Sequence, residues 1–156
     1  MVATRPALPH EPASPWQTLS SEIIYQNPWY ALRQDRVRTH LGAEITYTFM
    51  EHPGAVAVVP ITADGQLVML RHYRYTLKQW CWEIPMGGLD GREPAELARH
   101  ELLEEAGGRC QELLPVSGFY TSNGVSNTYC QVFLARDVEL EANQPEAGEL
   151  IHVCPM

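Results

Sequence analysis

The sequence predicts one mixed α/β or α+β domain, built of many strands around a single helix. Three observations carry this expectation. The chain has 156 residues, 45% hydrophobic and 19% charged, a composition able to bury one core. Short apolar or alternating runs bounded by Gly, Pro and Asp recur from Trp29 onwards. Only the stretch after Pro94 carries a sustained helical period.

Residues 1–15 hold Pro6, Pro9, Pro12 and Pro15 without hydrophobic periodicity, and read as a flexible tail. Trp29–His40 (WYALRQDRVRTH) and Glu44–Glu51 (EITYTFME) read as strands, with Leu41-Gly42 as the turn between them. Ala55–Ile61 (AVAVVPI) and Gln66–Tyr75 (QLVMLRHYRY) follow, and Ala63-Asp64-Gly65 between them predicts a hairpin. Trp80–Ile84 (WCWEI) is a further short strand, ending at Pro85 and Gly87-Gly88, with Trp80 and Trp82 expected in core or sheet packing. In the helix, Pro94 suits the first turn, and Ala95, Ala98, Leu102 and Ala106 form an apolar stripe. Gly107-Gly108 stops it as a left-handed cap would. Gln131–Leu134 lies in a strand, and Leu150–Cys154 forms the last one.

Composition excludes several classes. Eleven basic against nineteen acidic residues give a net charge of −8, which speaks against nonspecific nucleic-acid binding. No apolar run approaches the ~18 residues of a membrane span. The proline-broken N-terminus lacks the basic-then-apolar order of a secretion signal. Cys81, Cys110, Cys130 and Cys154 show no C-x-x-C spacing, so reduced thiols in a cytoplasmic protein are expected. The six histidines are scattered, which disfavours a histidine-ligated metal.

The chemistry is expected on the helix. Glu101, Glu104 and Glu105 stand at i, i+3 and i+4, so their carboxylates share one face. No Lys or Arg sits at a compensating i+4 position. Clustered carboxylates suit Mg²⁺, a hard ion that takes oxygen ligands and can bridge diphosphate oxygens. A solvated acidic face is the alternative reading of the same three residues. With a cation bound, an acidic protein could hold an acidic substrate.

The stretch GGLDGREPAELARHELLEEAGG, residues 87–108, resembles the Nudix box, GX5EX7REUXEEXGU with U a bulky aliphatic. Glu101 to Gly107 matches EUXEEXG position for position. The segments NPWYALRQDRV, EHPGAVAVVPI, RHYRY and EIPMGGLD look like the ADP-ribose pyrophosphatase branch, and together they cover roughly residues 22–153. Four positions depart from the pattern. His100 stands for the family's arginine, and Arg92 stands where GX5E expects glutamate, so the loop looks one residue short. Gly108 replaces the closing aliphatic, and Asn123 lies where ADP-ribose-specific members often carry proline.

The resemblance implies an α/β/α Nudix sandwich with a mixed sheet and an N-terminal strand extension. It also implies Mg²⁺- or Mn²⁺-dependent hydrolysis of a nucleoside diphosphate linked to another group, ADP-ribose or a nucleotide sugar foremost. A catalytically impaired nucleotide-binding module is the competing expectation. Glu101 and Glu105 would be the main metal ligands, with Glu104 a further ligand or an orienting group and the Met86 carbonyl another oxygen. A late-loop glutamate would act as general base, Glu146 before Glu149. Arg71 and Arg74 would contact diphosphate, although at i and i+3 of a strand they point to opposite faces. Trp29 and Tyr30 would stack on a nucleobase in a homodimer. The expected organisation is a tail over 1–15, a strand extension over 16–52 and a Nudix core over 53–156. Family members usually continue into a helix beyond the last strand, so a partner subunit or further chain is expected over that face.

Overall fold

The computed structural model describes residues 14–156, so the tail expected over 1–15 falls almost wholly outside the described residues. Strands β1 (Gln17–Gln26), β2 (Ala31–Arg38) and β3 (Glu44–Glu51) form one antiparallel sheet in that order. The β2–β3 turn closes where expected: Gly42 has φ +81, and Thr39 N–H donates to Ala43 O at 2.8 Å. The strand expected from Trp29 begins only at Ala31. Asn27 explains the delay, because its Oδ1 accepts the N–H groups of Trp29 and Tyr30 at 2.9 and 2.8 Å and bends the chain. β1 escaped the sequence reading. Its residues are nearly all exposed, so no alternation marks it. This sheet and residues 120–129 make one unit of the chain, in which Met50 N–H donates to Val125 O at 2.9 Å.

The second unit takes residues 55–119 and 130–156. Its strands are β4 (Ala55–Thr62), β5 (Val68–Arg74), β6 (Gln79–Glu83), β7 (Met86–Gly88), β8 (Gly108–Arg109), β9 (Glu112–Tyr120), β10 (Tyr129–Leu140) and β11 (Ile151–Pro155), with the helix α1 (Pro94–Ala106) between β7 and β8. One mixed sheet runs β7-β4-β10-β8, with β9 also on β10; β4 and β10 pair in parallel from Ala55–Cys130 to Thr62–Val138. Parallel strands are covered on both faces, which is why β4 reads as a continuous apolar run. The other sheet is β11-β5-β6, antiparallel throughout.

The Asp64-Gly65 turn forms, but the expected hairpin does not. β4 and β5 meet at a single bridge, Ile61–Leu67, and then enter different sheets. α1 supplies Leu97, Ala98, Leu102 and Ala106 to a core that also contains Val56, Val58, Leu70, Phe133 and Ile151. Leu97 and Leu102 are each 1% exposed, and burial of each contributes about 1.5–3 kcal/mol. Ala95, expected in the stripe, is exposed and Leu97 takes its place. The class is α+β. Among the described residues there is one helix, so the second helical layer of the expected sandwich is not among them. Trp82 is 51% exposed and Trp80 36%, so neither is core: Trp80 packs on Tyr73 and His152, and the Arg71 guanidinium lies over Trp82 at 4.8 Å. Among the described residues no helix is long and apolar enough to cross a membrane.

Candidate active site

α1 begins at Pro94 after an extended Glu93 and ends at Gly107, whose φ of +64 makes it a left-handed cap. Between them the helix aims its carboxylates at the main chain of β7. Pro85 O accepts the Val58 N–H at 2.9 Å, and Met86 pairs with Ala57, which holds the Met86 N–H in place. That N–H donates to Oε2 of Glu105 at 2.8 Å. Glu101 lies over Gly87 so closely that a Cβ there would fall 2.2 Å from its carboxyl carbon. Only glycine permits this approach. Glu105 is 3% exposed, against the alternative reading of a solvated acidic face.

Burial pushes the Glu105 carboxyl up to about 8; the Met86 N–H opposes that, Glu101 and Glu149 add repulsion, and Arg74 attracts. Burial likewise raises Glu101 to about 7, helped by Glu104, Glu149 and Asp90 and opposed by Arg92. Among the described residues neither carboxylate forms an ion pair. A buried and a half-buried carboxyl repelling each other beside a main-chain cradle have the donor chemistry of a divalent-cation site. No three His, Cys, Asp or Glu side chains among the described residues close into a ready-made cage. Magnesium does not require one, since it keeps waters and is bound through one or two carboxylates plus substrate oxygens.

Glu104 turns aside from this pair. Its Oε2 lies 3.1 Å from Nδ1 of His100, the residue at the family arginine's position. Glu104 and His100 line a cavity of about 480 Å³ with Arg109, Glu141, Gln144 and Glu146. Glu146 is exposed, whereas Glu149 is half-buried and its charge acts on Glu101, Glu105, Arg74 and His72.

Alternation along β5 separates the two arginines. Arg74 faces the carboxylates, and its Nε and Nη2 grip Glu83 at 2.9 and 2.6 Å, leaving Nη1 to donate elsewhere. Arg71 stacks on Trp82 on the opposite face of the strand from Arg74. His72, 3% exposed, sits 3.6 Å from Glu83 with its Nδ1 unpartnered among the described residues, and burial holds it below the usual histidine range. The sequence reading missed His72 and Glu83 because their juxtaposition depends on the β5–β6 register. Trp29 and Tyr30 belong to the other unit, where they line a cavity of about 390 Å³ with Glu51, His52 and Asn127, and Trp29 is 71% exposed.

Two family models match the chain. One, described as the nucleoside diphosphate sugar hydrolase N-terminal domain, covers residues 16–50, and the NUDIX domain covers 51–156. The chain is 36% identical over 134 residues to a protein of Mycobacterium tuberculosis named ADP-ribose pyrophosphatase, across 85% of this chain and 64% of that protein. It is 33% identical to a Bacillus subtilis protein of the same name, across 85% of this chain and 72% of the relative. A Bacillus methanolicus protein named methanol dehydrogenase activator is 32% identical, across 81% of this chain and 69% of the relative. In fold, the chain is similar to a solved structure described as an ADP compounds hydrolase, with a TM-score of 0.77, 20% identity, and coverage of 94% of this chain and 80% of that one. The carboxylate helix therefore lies inside a domain match that runs over residues 51–156, and this chain belongs to the Nudix family.

Proposed function

We propose that this protein is a cytoplasmic, homodimeric hydrolase that uses Mg²⁺ or Mn²⁺ to cleave the diphosphate bond of a nucleoside diphosphate linked to another group, with ADP-ribose or a nucleotide sugar as substrate. The observation that carries the reading is the pair of half-buried Glu101, against Gly87, and buried Glu105, on the Met86 N–H, with no ion-pair partner among the described residues. Their oxygens and the Met86 carbonyl would hold the ion. When bound, such an ion supplies positive charge for the diphosphate oxygens and acidity for a water. Glu104, paired with His100, orients the helix face rather than contributing a main ligand.

Glu149 takes the proton from the attacking water; its partial burial and its field at Glu101 and Glu105 favour it over the exposed Glu146. The water oxygen bonds to one phosphorus as that phosphorus releases the bridging oxygen, giving a nucleoside monophosphate and a sugar phosphate. Arg74, oriented by Glu83, donates from Nη1 to a phosphate oxygen. The exposed Trp29, with Tyr30, offers a stacking surface for the base. Exposed Ile23, Ile24 and Tyr25 on β1 support a homodimer through the strand extension. All four cysteines are free, as a cytoplasmic setting requires.

The test is phosphate release, after added phosphatase, from ADP-ribose, ADP-glucose, GDP-mannose, NADH and a dinucleoside polyphosphate, with and without Mg²⁺. Metal-dependent release from one or two of these is expected. Tight nucleotide binding with no release from any would instead make the chain a binding module.

A further inference from the structure

The last carbonyls of an α-helix need donors from outside it. In α1 the Gly107 N–H serves Leu103 O at 2.9 Å, and the segment that leads to Glu146 and Glu149 serves the carbonyls of Glu104, Glu105 and Gly107. Gln144 N–H donates to Glu104 O at 2.9 Å and Glu141 N–H donates to Gly107 O at 2.8 Å. The side-chain amide of Asn143 donates to Glu105 O at 3.0 Å. The chain segments touch here: a Cβ on Gly107 would fall 2.1 Å from Glu141 O and 2.9 Å from Asn143 N. At its far end the segment is held again, since Leu150 O accepts the Tyr73 N–H at 3.0 Å. Between these anchors Glu149 N–H donates to Glu146 O at 2.9 Å, and Glu146 N–H to a Glu149 carboxylate oxygen at 3.1 Å.

We propose that Asn143 is a positioning residue for Glu149, tying the loop that carries the base to the main chain of Glu105 so that base and metal-facing carboxylates keep one geometry. The inference rests on the hydrolase reading and on Glu149 as its base. The two main-chain bonds can form with many residues at 141 and 144. The third needs a short side chain with an N–H donor, which asparagine provides and alanine or aspartate does not. Its acceptor is the main-chain carbonyl of Glu105, so the bond fixes the loop to the helix that carries the metal-facing carboxylates.

The test compares the full chain, Asn143→Ala, Glu149→Gln and the double variant, with ADP-ribose and saturating Mg²⁺. Asn143→Ala should lower kcat by about ten- to a hundredfold, the cost of displacing a reacting group by roughly an ångström, while KM and the half-saturating Mg²⁺ concentration stay within about twofold. In the Glu149→Gln background it should cost nothing further, because two residues acting through one group are not additive. Amide hydrogen exchange, read without substrate, should quicken across 144–150 and not across α1. Wild-type kcat in Asn143→Ala, losses that multiply in the double variant, or unaltered loop exchange would each overturn the tie while leaving the hydrolase reading intact. A wild-type chain that turns over no substrate would overturn both.

Discussion

Replacing Gly87 by alanine asks whether the Glu101 carboxylate must sit where the structure places it. The new Cβ would lie 2.2 Å from Cδ and Oε1 of Glu101 and 2.7 Å from its Cγ, where ordinary contact starts at 3.4 Å. The carboxyl group must therefore retreat by about 1.2 Å. β7 cannot give way easily, because Gly87 is paired with Val56 in the buried β4. The collision is with the end of a flexible side chain, so a shifted rotamer costs about 1 kcal/mol. Gly→Ala at an unstrained position returns about 0.4–1 kcal/mol through the unfolded chain. The two nearly cancel, and the melting temperature should move by only a few degrees. Activity should not escape: a 1 Å misplacement costs about a hundredfold, or roughly 2.7 kcal/mol of barrier. Magnesium titrations of ADP-ribose turnover, run beside thermal unfolding, read both quantities. Wild-type turnover with an unchanged half-saturating Mg²⁺ concentration would refute the cradle. A collapse in melting temperature would refute the claim that Glu101 yields cheaply.

Gly107→Ala should behave oppositely, because its φ is +64 and its Cβ would strike the Glu141 carbonyl oxygen at 2.1 Å; chemical denaturation should show a loss of at least ~2 kcal/mol, and a loss below ~0.5 kcal/mol would contradict the geometry. Glu149→Gln should cut kcat by roughly a hundredfold or more and Glu146→Gln by less than about threefold, whereas the reverse order would return the base to Glu146. Glu105→Gln should abolish Mg²⁺-dependent turnover while the far-ultraviolet circular dichroism is retained, and a wild-type rate would remove Glu105 from the mechanism. The metal-free protein should also lose stability as pH rises. Burial raises Glu101 to about 7 and Glu105 to about 8 from an ordinary 4.5, so the folded state holds more protons than the unfolded one across that window. Their contribution is full below pH ~4.5 and gone above pH ~8. His52 and His72, held low by burial, pull the other way. Melting temperatures in EDTA should therefore fall less steeply with pH in Glu105→Gln than in wild type, and an equal slope would be the refuting result.

How legible the fold was depended on whether an element's partner is local. α1 was visible to the residue, because Pro94, the apolar spacing and Gly107 are all written within fourteen consecutive positions and the cap geometry follows from them. β2 and β3 were visible for the same reason, since Gly42 closes a short antiparallel turn. β1 and β9 carried no comparable signal: both are largely exposed, and exposed strands need no hydrophobic alternation. The Asp64-Gly65 turn marks the limit of local reasoning. Its chemistry is correct, with Gly65 at φ +85, yet β4 is drawn away by its parallel pairing with β10, whose Cys130 meets Ala55. A turn motif specifies the reversal and not the strand partners.

The site divides along the same line. The spacing of Glu101, Glu104 and Glu105 put three carboxylates on one helical face, but spacing could not say that they would meet three different surroundings. Glu105 is taken by the Met86 N–H, Glu101 by the space above Gly87, and Glu104 by His100, and each of those partners is fixed by β7 or by the helix itself. Alternation within β5 sorted Arg74 from Arg71 in principle, whereas choosing which face meets the carboxylates required knowing where Glu83 falls on β6. The same holds for the base. Glu146 and Glu149 are indistinguishable as letters in NQPEAGELI, and only the anchoring of that loop to the end of α1 separates an exposed glutamate from one whose charge acts on both Glu101 and Glu105. Residue type thus carried the chemistry, and main-chain groups on Met86, Gly87, Glu104 and Glu105, silent in any reading of side chains, decide which residue does what.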